Sequence, residues 1–281
     1  MKNRVSELPR RCPKSIFIWS TIKMIGVQSM SRQNDQPEFA IVTGGLGSIG
    51  RAIEAQLDQR RIAALLLDRA ELNSPILQSS KFFKTDCLDE DELTKIISRA
   101  WPTMGRLVAV FHCAGGGDLG EQTSEDPALP SNRDLHAVVA NNLFTAFNVV
   151  RLSVPILRAL GGGSLTFISS VNAYGGFGSP GYSASKAALL GYSRTLAVQL
   201  ASDKIRVNCV SPGSTDTTGF RDLLEKQGKT SALEALRRRA PLKKLVEADE
   251  VARAMISIGF DLVSMTGAEI LIDNGQSLRR F

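Results

Sequence analysis

Residues 38–50 read EFAIVTGGLGSIG. The apolar run Phe39–Val42 predicts a buried strand, and Arg51–Leu57 beyond it has the apolar spacing of a helix. Between them lies a glycine-rich turn. Strand, glycine turn and helix together are the context a phosphate-binding loop needs. Glycines let the backbone approach a pyrophosphate, and the free amides at the helix start favour its charge. A ligand-free tight turn is the alternative, and the flanking elements weigh against it. A second apolar run, Ala63–Leu67, ends in Asp68, eighteen residues after Gly50. A carboxylate there can accept hydrogen bonds from the ribose hydroxyls of NAD and would repel the extra phosphate of NADP. Arg69 follows at once and leaves NADP possible.

A second group lies downstream. Tyr182 and Lys186 are four residues apart, a spacing that places both on one helix face, and Ser170 stands twelve residues before the tyrosine. A free phenol titrates near about 10 and is a poor base at neutral pH. A neighbouring ammonium is expected to lower that value and make the pair an acid–base device. The same spacing also occurs on ordinary helix surfaces, so it gains meaning from the cradle upstream.

Length and charge bound the alternatives. At 281 residues the chain can bury the core of one α/β domain. The net charge is +6, but seven Lys/Arg against Glu7 and Asp35 fall within residues 1–36, so five of those charges lie in the tail. The body carries no basic stripe for nucleic acid. Cysteines at 12, 87, 113 and 209 and histidines at 112 and 136 show no metal-ligand spacing, so no metal is expected. Residues 1–37 are read as an extension: a disordered tail, a mis-called start with Met30 as initiator, or a targeting segment. The apolar stretch Ser15–Trp19 is too short to span a bilayer. Reduced thiols and no convincing secretory signal suggest a cytoplasmic protein without a membrane partner.

Along residues 38–281 strands and helices alternate. Strands are predicted at Lys81–Thr85, Leu107–His112, Leu165–Ser169, Ile205–Val210 and Glu269–Ile272. Helices are predicted at Asp89–Ala100, Leu135–Leu160 with an interruption at Pro155, Tyr182–Leu200 and Asp249–Ile258. Residues 117–132 and 171–181 read as loops, and 214–245 as a charged helical insertion. This alternation predicts α/β architecture: a single-domain, Rossmann-like, doubly wound parallel sheet.

From Phe39 to Leu278 the ordered motifs resemble the short-chain dehydrogenase/reductase family. The turn TGGLGSIG is similar to TGxxxGxG, with Ser48 where the middle glycine usually stands, and equally to TGxxGxxG. His112-Cys113-Ala114-Gly115 stands in the place of NNAG, matching at Ala114 and Gly115. Hydrogen bonds usually made by the two asparagines must then come from elsewhere. The resemblance implies a nicotinamide dinucleotide, NAD with NADP possible, held by Gly44, Gly47, Ser48, Ile49, Gly50, Asp68, Asp86, Cys87, Ala114, Gly115, Tyr182, Lys186, Pro212, Gly213 and Thr217. It implies catalysis by Asn142, Ser170, Tyr182 and Lys186. Asn142, in preference to Asn141, holds a water on a proton relay to the lysine. Asp273-Asn274-Gly275 resembles the family's C-terminal DGG.

The implied activity is interconversion of a secondary alcohol and a ketone. A reductase of carrier-bound 3-oxoacyl thioesters and a non-catalytic dinucleotide sensor are the rivals. The pocket for a small alcohol or ketone is expected from Asn172, Tyr174, Phe177, Pro180 and parts of 214–240. Arg237-Arg238-Arg239 reads as a solvated helix face or as a greeting for an anionic substrate. Family resemblance further implies a homodimer or homotetramer paired through 135–160 and 182–200. Val138, Leu143, Leu189 and Leu196 fit that pairing or plain core packing.

Overall fold

The apolar runs form the strands of a parallel sheet: β1 (Glu38–Thr43), β2 (Ile62–Asp68), β3 (Lys81–Lys84), β4 (Arg106–His112), β5 (Gly163–Ile168) and β6 (Ile205–Pro212). Two short strands, β7 (Thr215–Asp216) and β8 (Val246–Glu247), pair separately, and β9 (Glu269–Ile272) closes the main sheet. This computed structural model describes residues 36–116, 128–174, 178–226, 228–229 and 231–278. Residues 1–35 of the predicted extension, most of the 117–132 loop, and Phe177 lie outside the described residues. Pro37–Phe281 is one compact unit.

The order β3-β2-β1-β4-β5-β6-β9 is parallel at every pairing. Helices cover both faces, so central strands are apolar on both sides. Leu65, Leu66 and Leu67 are all fully buried, as are Phe39, Ala40, Ile41 and Val42. The strand order reverses between β1 and β4. At such a switch point the carboxyl ends diverge and leave a crevice for a ligand.

The helices are α1 (Ser48–Gln59), α2 (Glu90–Met104), α3 (Asn132–Val139), α4 (Thr145–Ala159), α5 (Pro180–Leu200), α6 (Thr218–Lys226), α7 (Ala232–Arg239) and α8 (Ala248–Ile256). Asp89 caps α2 by accepting from the Glu92 amide, and Ser131 caps α3 through the Asp134 amide. Pro180 opens α5 in its first turn, where a missing N–H costs nothing. The predicted insertion at 214–245 is α6 and α7, tied by β7 and β8.

The expected interruption at Pro155 is corrected: α4 runs through it. The lost hydrogen bond is offset by burial of Val149, Leu152, Ile156 and Leu157 around it. The irregularity lies earlier, in a π turn at Ala140–Phe144 that joins α3 to α4. The stretch Asn132–Ala159 is long and apolar enough to cross a membrane, and half of its most apolar window is buried inside the protein.

Candidate active site

The glycine turn is set by close contacts. Gly44 has φ +62°, and a side-chain carbon there would stand 2.9 Å from the backbone of Cys113 and Ala114. One at Gly50 would stand 2.3 Å from the Gly44 carbonyl oxygen. Alanine at either position would therefore push α1 or β4 away from β1. The turn is closed by the Gly47 amide donating to Gly44 O at 3.1 Å, and α1 begins at Ser48.

A crevice of about 230 Å³ opens at the carboxyl ends of β1, β2 and β4, lined by Gly44, Gly47, Asp68, Arg69, Asp86, Cys87, Ala114 and Gly115 among others. Seven of these eight are the residues the sequence assigns to the dinucleotide; the eighth, Arg69, is the one that leaves NADP open. Thr85, Cys113, Asn141 and Thr145 also line it and were not assigned to the dinucleotide. Their signal was position, at strand ends and on the face of a helix beside Asn142. Asp68 is oriented by two backbone donors, Leu46 N–H to Oδ2 and Ala70 N–H to Oδ1, each 3.0 Å. Burial pushes the Cys87 and Cys113 thiols up to about 12, so they stay protonated as lining.

Other predicted residues play different parts. Ile49 is partly buried against the core. The Ser48 hydroxyl accepts from Thr218 N–H at 3.1 Å, joining the glycine turn to α6. Pro212, Gly213 and Thr217 do not line the crevice. Gly213 N–H donates to Ile272 O, and the Thr217 hydroxyl caps α6 through the Phe220 amide.

The Ser170, Tyr182 and Lys186 side chains come together beside Gly115. Ser170 hydrogen-bonds the Tyr182 hydroxyl. The Lys186 ammonium lies 5.5 Å from the centre of the Tyr182 ring and donates to Ile168 O at 2.9 Å. Ser169 is separate: it is buried and donates to Lys186 O at 2.9 Å, fixing α5 against β5.

The expected lowering of the tyrosine by the lysine is corrected. Tyr182 is partly exposed as a residue, but its hydroxyl is enclosed, and desolvation raises its pKa above the usual phenol value. The opposing pull comes from Ser170. The ammonium faces the ring and the Ile168 carbonyl. Burial lowers Lys186 itself to about 8.

Asn142 is fully buried in the π turn. It accepts from Gly116 N–H at 3.1 Å and donates to Gly116 O at 2.8 Å and Val138 O at 2.9 Å. Its amide therefore clasps the chain that follows β4. The extra residue of a π turn frees backbone groups for such a partner. Asn141 instead faces Arg69, 3.5 Å away.

His112, in the place of the first asparagine, is buried and bonded to Thr145. Its Nε2 lies 3.2 Å from the Thr145 hydroxyl. That hydroxyl donates to Asn141 O at 2.8 Å, so it accepts from His112 and fixes the Nε2–H tautomer. Nδ1 is buried without a hydrogen bond. Burial, then the charge of Lys186, lowers His112 to about 3.

On the substrate side, Asn172 and the Tyr182 ring both crowd Gly178: a side-chain carbon there would meet them at 2.5 and 3.5 Å. Pro180 is exposed at the start of α5. The Tyr174 hydroxyl donates to Glu269 on β9, and its ring is exposed. Arg237, Arg238 and Arg239 are all exposed on α7, as a solvated face requires.

A glycine cradle with no room for a side chain, oriented acids beside it and a hydroxyl pair at the same sheet edge fit a nicotinamide dinucleotide and its substrate. That combination defines the class of dinucleotide-dependent oxidoreductases. Residues 45–277 match a family described as enoyl-(acyl carrier protein) reductase. A tropinone reductase homolog of Arabidopsis thaliana is 30% identical over 86% of this chain and 93% of its own. A 3-oxoacyl-[acyl-carrier-protein] reductase of Thermotoga maritima is 29% identical over 85% of this chain and 97% of its own. The solved aldohexose dehydrogenase of Thermoplasma acidophilum superposes with a TM-score of 0.78 at 22% identity, covering 87% of this chain and 96% of that one. The chain belongs to the short-chain dehydrogenase/reductase family.

His112 gives a pH test. Its unfolded value is near 6.5 and its folded value about 3. The unfolded chain binds the proton first, so stability is full above about pH 6.5 and falls as pH drops toward 3. The loss reaches on the order of 4 kcal/mol. Urea unfolding from pH 7 to 4 should show a shallower acid loss in His112→Asn than in the wild type; parallel curves would contradict the buried neutral imidazole.

Proposed function

We propose that the protein interconverts a secondary alcohol and a ketone with a nicotinamide dinucleotide, preferring NAD to NADP. The observation that carries this reading is the Ser170–Tyr182 hydroxyl pair beside Lys186 at the edge of the dinucleotide crevice. When bound, the dinucleotide supplies or accepts the hydride. Ser170 and Tyr182 present two hydroxyls to a substrate oxygen on which charge develops. In reduction Tyr182 gives its proton to that oxygen; in oxidation it takes one. Lys186, near neutrality at about 8, is a proton reservoir one turn away and a donor to the nicotinamide ribose. Asn142 holds the Gly115–Gly116 backbone against this group and carries the relay that links Lys186 to solvent.

Asp68 supports the preference for NAD. Its oxygens are oriented into the crevice by the Leu46 and Ala70 amides and retain lone pairs for ribose hydroxyls. Arg69 also lines the crevice and keeps NADP as the second choice. Reduction of carrier-bound 3-oxoacyl thioesters is the alternative reaction, supported by the Thermotoga relative's name. A purely sensing role is disfavoured by the intact Ser170, Tyr182 and Lys186.

Assembly of like subunits is part of the proposal. Val138 and Leu189 are fully buried in the core, which supports the packing reading for these two. A groove of about 610 Å³ is lined by Leu88, Leu143, Phe144, Phe147 and Tyr192. Phe144 and Phe147 are 46% and 48% exposed there, an apolar face suited to a second copy.

Oxidation of NADH and NADPH over a panel of ketones, cyclic diones and 3-oxoacyl thioesters tests the reaction. Tyr182→Phe should lower kcat by roughly 10²–10⁴ while NAD still binds; retained turnover would refute the role of the hydroxyl. Asp68→Ala should shift the NAD/NADP ratio of kcat/KM toward NADP by about tenfold or more. An unchanged ratio would count against the ribose contact. In sedimentation, Phe147→Glu should shift the assembly to smaller species, and an unaltered coefficient would remove this face from the interface.

A further inference from the structure

Outside the hydroxyl pair, a half-buried carboxylate reaches the loop that carries Ser170. Glu269 opens β9, on the edge of the sheet, with a side chain 10% exposed. Three groups from three elements face it. The Tyr174 hydroxyl donates to its Oε2, the Ser211 hydroxyl of β6 donates to its Oε1, and the Arg194 guanidinium of α5 lies 3.8 Å away. Tyr174 is 54% exposed, so burial is not what holds its ring in place. The hydroxyl contact is the specific one.

Tyr174 ends a single tight turn that begins at Ser170. The Asn172 amide donates to the Ser170 hydroxyl oxygen at 3.2 Å, the Ala173 amide to Ser170 O at 3.0 Å and the Tyr174 amide to Val171 O at 3.1 Å. A serine oxygen that already accepts from Asn172 directs its own proton elsewhere, and here it meets Tyr182. The turn therefore decides where the Ser170 proton points. One end of the turn is covalently fixed to β5; the other is moored at Glu269.

We propose that Glu269 is a positioning residue for Ser170, acting through Tyr174 to hold the Ser170–Tyr174 turn in the form that aims the serine hydroxyl at Tyr182. This deepens the oxidoreductase reading and rests on it for its catalytic consequence. Glu269 does not line the crevice, and the turn is the path by which its Tyr174 contact reaches Ser170. Charge on its oxygens strengthens both hydroxyl contacts, since hydrogen bonds to an ionised acceptor are stronger than neutral ones.

The test uses Glu269→Gln, Tyr174→Phe and the double variant, in the full chain. Titration of Tyr182 is followed by NMR of ¹³Cζ-labelled tyrosine, with Tyr182→Phe used to assign the signal. A loosened turn weakens the Ser170 donation that favours the phenolate, so the Tyr182 titration should move upward by about half a unit to one unit in each single variant. The double variant should move no further than the singles, because both act on one contact. On a substrate found in the panel, kcat should fall about tenfold with KM for the dinucleotide unchanged. A melting temperature that drops while the Tyr182 titration stays in place would overturn the proposal and leave Glu269 a structural clamp. Shifts that add in the double variant would also overturn it. If the wild type turns over no member of the panel, the oxidoreductase reading falls, and the titration still decides the role of Glu269.

Discussion

The geometry of the crevice follows from how tightly the chain leaves β1. Gly44 passes within contact distance of the Cys113–Ala114 backbone, and Gly50 brings α1 down onto the Gly44 carbonyl. These two approaches fix the start of α1, and with it the amides that face the crevice. They also fix β4 against the same turn, since the Ala114 amide donates to the Thr43 hydroxyl at 3.1 Å. From Ala114 the chain reaches Gly115 and Gly116, which Asn142 clasps. Lys186 and Asn142 both face Gly115: a side-chain carbon there would meet the Asn142 oxygen at 2.5 Å and the Lys186 ammonium at 3.5 Å. One steric constraint at the end of a central strand thus aligns the phosphate cradle with the acid–base group.

The site is costly to fold. Lys186, Tyr182 and His112 all have their charged forms disfavoured by burial. The lysine does so at neutral pH, where its folded value near 8 lies below its ordinary one and the unfolded chain holds the proton more tightly. Such groups persist because the surrounding core over-determines their positions. Phe111, Phe167, Leu165 and Val207 are all essentially without exposure. Burial in turn gives the hydroxyls a low-dielectric setting, where each oriented donor counts for more than in water.

The parallel sheet was legible because its strands are continuous apolar runs ending in chemistry: Val42 before the glycines, Leu67 before Asp68, Ile168 before Ser170. Strand ends were read to within about two residues. Tyr182, Lys186 and Asp68 were legible from spacing, which helix and strand geometry translate directly into position. What was not legible depended on tertiary contact. The π turn has no local signature, since Asn142 leaves the regular helix to reach Gly116. Tyr174 sits among loop residues that suggest a pocket, and a carboxylate ninety-five residues away draws it to β9. The direction of the Tyr182 shift depended on enclosure, which a helical spacing does not report.

The π turn also changes how the long helix between Asn132 and Ala159 behaves as a mechanical part. Its first half packs on α5, whereas its second half packs on β4 and α2. One inserted residue turns the stripe of contacts about the axis, so a single rod serves two sets of neighbours. The joint falls at Asn142, whose grip is on the loop behind β4. The joint therefore ties the rod sideways to the segment that follows β4, as well as end to end along its own axis.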